Sequence, residues 1–154
     1  MNYPDSPECC DLEKLERSLF LILEALGDET HDRMFYQYLL SIAPSQEQCD
    51  IIKSIRDDEI KHFKMFRIIY QEITCESPVG KQKQYFEEPK SYCAAIQQAI
   101  FGELGAVETY RKIMFGLCSQ RQRDMLFEII SDEIKHSVKW NFLYSKNCCG
   151  CCGK

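Results

Sequence analysis

Proline and glycine are scarce, five and seven in 154 residues, which excludes a loop-built, collagen-like or low-complexity chain. No stretch sustains an alternation of apolar and polar residues, so the strand signal is missing. Long apolar runs are missing as well. The longest, "LFLIL" at Leu19 to Leu23, falls far short of the ~20 residues a membrane span needs. The opening "MNYPDSPECC" lacks the basic start and apolar centre of a signal peptide. There is no dense basic stripe either: 19 basic against 24 acidic residues give a net charge of −5, without the electrostatic footprint of a nucleic-acid binder. These absences lead us to expect a cytoplasmic protein with neither membrane nor nucleic acid among its partners, and its length suits one domain.

Cysteine, by contrast, is abundant, with ten in the chain. Secreted disulfide scaffolds are short and loop-rich, whereas this chain reads as long helices, so the thiols are expected to be reduced. Cys49, Cys75, Cys93 and Cys118 fall singly near the ends of helical patterns, where cysteine acts as a small hydrophobe. The pair Cys9 and Cys10 and the tail "NCCGCCGK" are clustered.

Four stretches carry helical periodicity, so the fold class is all-α. The first runs from about Asp11 to Ala43, with Leu15, Leu19, Ile22, Leu26, Glu29, Tyr36 and Leu40 on one stripe, and Pro44 stops it. The second opens at "SQEQ", where Ser45 can cap and Gln48 can reach back, and runs to about Cys75. The third follows "EEPKSY". The fourth opens at "SQRQ", Ser119 to Gln122, and ends near Lys146.

The chain also repeats itself. "DEIKH" occurs at Asp58 to His62 and again at Asp132 to His136, and the same offset of 74 residues lays Glu29 on Glu103, Tyr36 on Tyr110 and Ser45 on Ser119. This is a duplicated helical hairpin, and two hairpins burying their stripes against each other make a four-helix bundle. The connection between them, Glu76 to Lys90, has 15 residues, too long for an adjacent step. It is long enough, at about 50 Å extended, to travel the length of a bundle. The expected topology is therefore up-down-down-up with one long crossover, the ferritin-like arrangement. The bundle takes residues 1–147 and the Cys-rich tail residues 148–154.

Glu and His three residues apart share a helix face, so each "DEIKH" aims a carboxylate and an imidazole at a stripe otherwise held by Ile, Phe, Trp and Leu. Glu29, Glu59, Glu103, Glu133, His62 and His136 all fall on inward stripes at matching depth. Burying four carboxylates together is unfavourable by several kcal/mol each unless positive charge compensates, and two divalent metal ions supply it. Asp32, three residues after Glu29, also faces inward, and its partner in the other half is Ala106. His31 points about 200° around the helix from Glu29, away from the site.

A Glu from each of two helices with Glu-x-x-His from each of the other two resembles the ligand set of the ferritin-like di-iron and di-manganese carboxylate proteins. Each half also reads Glu, 28 residues, then Asp-Glu-x-Lys-His, similar to that superfamily's two-part signature, with Lys61 and Lys135 where an Arg often stands. The resemblance covers roughly Asp11 to Lys146. It implies Glu59 and Glu133 as bridging or chelating ligands, Glu29 and Glu103 as terminal ligands, and one metal on each of His62 and His136. It casts Asp58 and Asp132 as acceptors that orient the ligand histidines, the alternative being solvated acids. Tyr36 and Tyr110 are candidates to bond a ligand carboxylate or relay an electron, the alternative being core tyrosines.

Within the superfamily, one Glu-x-x-His histidine per half is similar to rubrerythrin and bacterioferritin centres. The resemblance implies a rubrerythrin-like oxidoreductase with two iron ions (manganese or a mixed pair sharing the same ligands) that reduces peroxide or dioxygen. Its partners would be that oxidant, an electron-donor protein and a second copy of the chain. Rubrerythrins also carry a rubredoxin module with two Cys-x-x-Cys pairs, absent here, and an extra Glu where this chain has Ala106. Iron oxidation and storage, and a metal-binding bundle without turnover, are the alternatives. Cys148, Cys149, Cys151 and Cys152 suit a thiophilic metal, or else form a disordered end. They leave the bundle at the end shared with Cys49 and Cys93, opposite Cys9 and Cys10.

Overall fold

The computed structural model describes residues 10–79 and 87–149. Among them are four helices and no strands: α1 (Leu12–Ile42), α2 (Gln46–Thr74), α3 (Tyr92–Gly116) and α4 (Gln120–Cys148). Their starts follow local chemistry. Asp11 caps α1 by accepting from the Lys14 amide at 3.2 Å, Ser45 accepts from Gln48 N, and Ser91 accepts from Ala94 N. Ser119 flanks α4 without a side-chain cap bond. The Gln48 side chain does not reach back as the capping-box spacing predicts. It is buried against α3 and α4, where it accepts from the Tyr92 hydroxyl and exchanges hydrogen bonds with Asn147.

α1 packs on α2 and α3, and α4 packs on α3 and α2. The ends that meet fix the directions. Ser18 near the start of α1 donates to the carbonyl of Ile113 near the end of α3, and a Cβ at Gly116 would run into the Ser18 hydroxyl and the Lys14 carbonyl. Gln48 at the start of α2 meets Asn147 at the end of α4, while Glu72 near the end of α2 pairs with Arg121 at the start of α4. The start of α3 lies beside the start of α2, through Tyr92 and Gln48. The connection therefore leaves α2 at one end of the bundle and delivers α3 at the other, a span of about 40 Å for a helix of this length. Residues 80–86 of that connection lie outside the described residues.

The apolar core is divided in two. One half holds Ile22, Leu26, Phe66, Ile69, Ile113 and Leu126; the other holds Leu39, Ile52, Ile55, Ile96, Trp140 and Leu143. Each such side chain contributes about 1.5–3 kcal/mol by leaving water. A layer of buried charge lies between the halves.

Two disulfides clamp the bundle and correct the expectation of reduced thiols. Cys10, just before α1, pairs with Cys118 in the α3–α4 turn, and Cys93 in the first turn of α3 pairs with Cys148 at the end of α4, with Cα–Cα distances of 5.5 and 5.8 Å. The antiparallel packing brings these ends together. Cys148 is therefore a paired residue of α4 and not a thiolate of a free tail, while Cys149 is an exposed thiol. Cys151 and Cys152 lie outside the described residues. No helix among the described residues is long and apolar enough to cross a membrane.

Candidate metal centre

The duplicated sequence produces a duplicated site. Glu29 from α1, Glu59 and His62 from α2, Glu103 from α3, and Glu133 and His136 from α4 meet at mid-bundle, each no more than 3% exposed. Their ligand atoms form two groups that share members. Glu29, Glu59, His62 and Glu133 make one, and Glu59, Glu103, Glu133 and His136 the other, the atoms of each group lying within 4.8 Å of one another. Glu59 and Glu133 belong to both, as two bridging carboxylates would. His62 Nδ1 lies 2.9 Å from Glu133 Oε1 and 3.2 Å from Glu59 Oε2; His136 Nδ1 lies 3.3 Å from Glu59 Oε1 and 3.6 Å from Glu103 Oε2.

The supporting contacts cross from one half of the chain to the other. Tyr36 donates to Glu103 Oε1 at 2.6 Å, and Tyr110 donates to Glu29 Oε1 at 2.9 Å. Asp132 faces His62 Nε2 at 3.3 Å, and Asp58 faces His136 Nε2 at 3.0 Å. An Nε2–H donated to carboxylate leaves each Nδ1 lone pair aimed into the centre, the tautomer a metal ligand needs. All four side chains thus touch a carboxylate or imidazole of the cluster, Tyr36 and Tyr110 from buried positions and Asp58 from a partly exposed one.

The two halves differ at three points. Trp140 also donates to Glu103 Oε1, at 2.8 Å, while its counterpart in the repeat, Phe66, has no donor to offer Glu29. The difference is present in the repeat itself, where Trp140 aligns with Phe66 and only the indole carries a donor. Lys61 and Lys135 both pair with Asp132, at 3.3 and 2.8 Å. Asp32 stands where the other half has Ala106. It bonds His31 at 3.1 Å, and the two line a cavity between α1 and α3.

Charge in the protein without metal is frustrated. Burial, then the neighbouring Glu59, pushes the Glu29 and Glu133 carboxyls well above the usual range. For Glu59 burial acts upward too, but the His136 and His62 rings outweigh it and hold the carboxyl low. Burial works to lower His136, yet Glu103 and Glu59 carry it up to about 10. Burial holds Asp32 up at about 6, against the pull of His31 and with Glu59 and Glu103 adding to the rise. Burial, then the adjacent carboxylates, pushes Tyr36 and Tyr110 well above the ordinary phenol value.

The donor set fits two divalent cations. Among the described residues, Glu29 Oε2, Glu59 Oε1, Glu133 Oε1 and His136 Nδ1 are the buried side-chain polar atoms without a hydrogen bond, and all belong to this centre. Such atoms are costly unless something occupies them. Four carboxylates and two neutral imidazoles balance two divalent ions in charge, and the oxygen–nitrogen set suits iron or manganese.

A pH dependence follows for the protein stripped of metal. Glu29 and Glu133 bind protons more tightly folded than unfolded, so the stability they confer is lost as pH rises above the ordinary carboxyl value. His136 adds stability that is full below its unfolded value of about 6.5 and gone above about 10. Glu59 acts oppositely, its contribution fading as pH falls below about 4.5. Apoprotein stability should peak in mildly acid solution, with a melting temperature at least about 5 °C lower near pH 8.5 than near pH 6. Metal loading should remove that decline, because bound ions require the deprotonated forms. Melting curves with and without chelator check both; an apoprotein profile flat across that range would contradict the charge assignment.

No family model and no solved structure matches the chain. Over 121 residues it is 28% identical to "Uncharacterized protein YhjR" of Bacillus subtilis (strain 168), a similarity covering 79% of this chain and 81% of that one. That name assigns no activity, so what the centre does is read from its own side chains.

Proposed function

We propose that this chain is a rubrerythrin-like member of the ferritin-like di-iron carboxylate superfamily, an oxidoreductase that reduces hydrogen peroxide. The observation that carries the reading is the pair of four-residue ligand groups sharing Glu59 and Glu133. The helix directions support it, since α1 up, α2 down, α3 down and α4 up with one long connection is the ferritin-like topology. Two iron ions, when bound, would supply the two electrons that turn peroxide into two waters, and an electron-donor protein would restore them. The side chains hold the rest of the chemistry. Glu59 and Glu133 keep the metal positions together, and Asp58 and Asp132 fix the ligand histidines. The Tyr36 and Tyr110 hydroxyls hold the terminal carboxylates while staying protonated themselves. Asp32 Oδ, near the cavity, can carry one of the two protons the reaction consumes.

A second copy of the chain fits the outer face of the α3–α4 hairpin. Phe101, Leu104 and Phe115 on α3, with Phe127, Ile134, Val138 and Phe142 on α4, are 45–67% exposed. Helical spacing puts all of them on the side of each helix that flanks the α3–α4 seam. Their exposed area, on the order of 700 Å², approaches the ~800 Å² each partner of a standard interface buries.

Iron oxidation and storage is the competing reading, and it needs a closed shell. Protein loaded with ferrous iron and mixed with oxidant in a stopped-flow should be oxidised faster by peroxide than by dioxygen. The same sample should sediment as a dimer. Faster reaction with dioxygen, with mineral growth in a large assembly, would establish storage instead.

A further inference from the structure

We propose that the cavity between α1 and α3 is the port through which a divalent cation reaches the centre, held open by Gly102 and Gly105 and made attractive to cations by Asp32. This rests on the metal-centre reading and adds the ion's route.

All six ligand side chains are buried, so an ion must pass between helices to reach them. The cavity, about 370 Å³, takes Asp28, His31 and Asp32 from α1 and the two glycines from α3, and its inner wall includes Tyr36 and Tyr110. Those tyrosines hydrogen-bond Glu103 and Glu29 directly, so the cavity stops one side chain short of both ligand groups. A Cβ built on Gly102 or Gly105 meets nothing within 4 Å. Both glycines are exposed, at the rim of the cavity, and each is about 1 kcal/mol less favourable in a helix than alanine, so their effect is to keep side chains off its mouth.

The opposite seam, between α2 and α4, is taken up by ion pairs. Lys61 and Lys135 sit on Asp132, Lys139 lies 4.0 Å from Asp58 and donates to Ser54, and both aspartates already face ligand histidines. Lys61 also pairs with Glu128, so three ammonium groups are matched by three carboxylates there and leave no net attraction for an approaching ion, whereas the α1–α3 mouth presents Asp28 and Asp32. Across the cavity itself the repeat is uneven, since Asp32 on α1 is matched by Ala106 on α3.

The test is the rate at which full-length apoprotein takes up Co(II), followed by its visible absorption, for wild type, Gly105→Leu, Gly102→Leu, Asp32→Asn and Lys139→Ala. Each leucine should slow loading by at least about tenfold and Asp32→Asn by several-fold, with the final content of two ions per chain unchanged. Lys139→Ala should load at the wild-type rate. The two leucine positions are alternatives, so one misfolded variant leaves the other to decide. Full loading at unaltered rates in folded leucine variants would overturn the port and leave the centre standing; wild-type protein that binds no cobalt would overturn both.

Discussion

Glu59→Ala and Glu133→Ala are each expected to lower the metal content from two ions per chain to fewer than one, while the helical circular dichroism persists. Each residue belongs to both ligand groups, so one substitution removes a ligand from two metals at once. Glu29→Ala or Glu103→Ala removes a ligand from one group only and should spare the other ion. Even residues that merely orient a ligand are worth about 10- to 100-fold in affinity, so losing a shared ligand should exceed that. The empty bundle should stay folded in both variants, because the two apolar core halves are untouched. Without metal, Glu133→Ala removes a repelled carboxyl and should melt no lower than wild type, whereas Glu59→Ala takes the partner from the His136 and His62 rings and should melt lower. Elemental analysis of dialysed protein measures the first effect, and thermal melts the second. Two ions retained in both variants would dissolve the centre.

Reduction of the disulfides should have the largest effect on stability. The Cys93–Cys148 bridge closes a sequence separation of 55 and Cys10–Cys118 one of 108. Chain entropy then assigns them about 4 and about 5 kcal/mol, with strain and residual unfolded structure lowering the realised figure. A mild thiol reductant should lower the melting temperature by about 10 °C or more. Cys93→Ser should reproduce part of that loss under oxidising conditions. Metal content should not change, since Cys148 lies twelve residues beyond His136, about 18 Å along α4. Calorimetry of oxidised, reduced and Cys93→Ser protein measures this; a reduced protein that melts with the oxidised one would show that the bridges are not formed in solution.

Much of the centre was legible because repetition doubles a weak signal. One Glu-x-x-His on an apolar stripe is ambiguous, but two of them at an offset of 74, each 28 residues after another inward Glu, place six candidate ligands at one depth. The reciprocal contacts were less legible. Spacing puts Tyr36 and Tyr110 on the inner stripe, but only packed helices show each reaching the glutamate of the other half. Trp140 read as core, and it is core on every side but the indole N–H. The disulfides were missed for a different reason. Composition and the helical pattern point to reduced thiols, whereas pairing depends on which helix ends touch, and Cys93 and Cys148 share one end of the bundle. The α1–α3 cavity was invisible because it is made of absent side chains, at Gly102 and Gly105.

Anomalous diffraction from crystals of protein purified without added metal tests the central claim most directly. A binuclear centre requires two peaks per chain, roughly 3.5–4 Å apart, both within bonding distance of Glu59 and Glu133. One should be completed by Glu29 and His62 and the other by Glu103 and His136. A bundle interior without anomalous signal, its four glutamates hydrogen-bonded among themselves and to the two histidines, would contradict it.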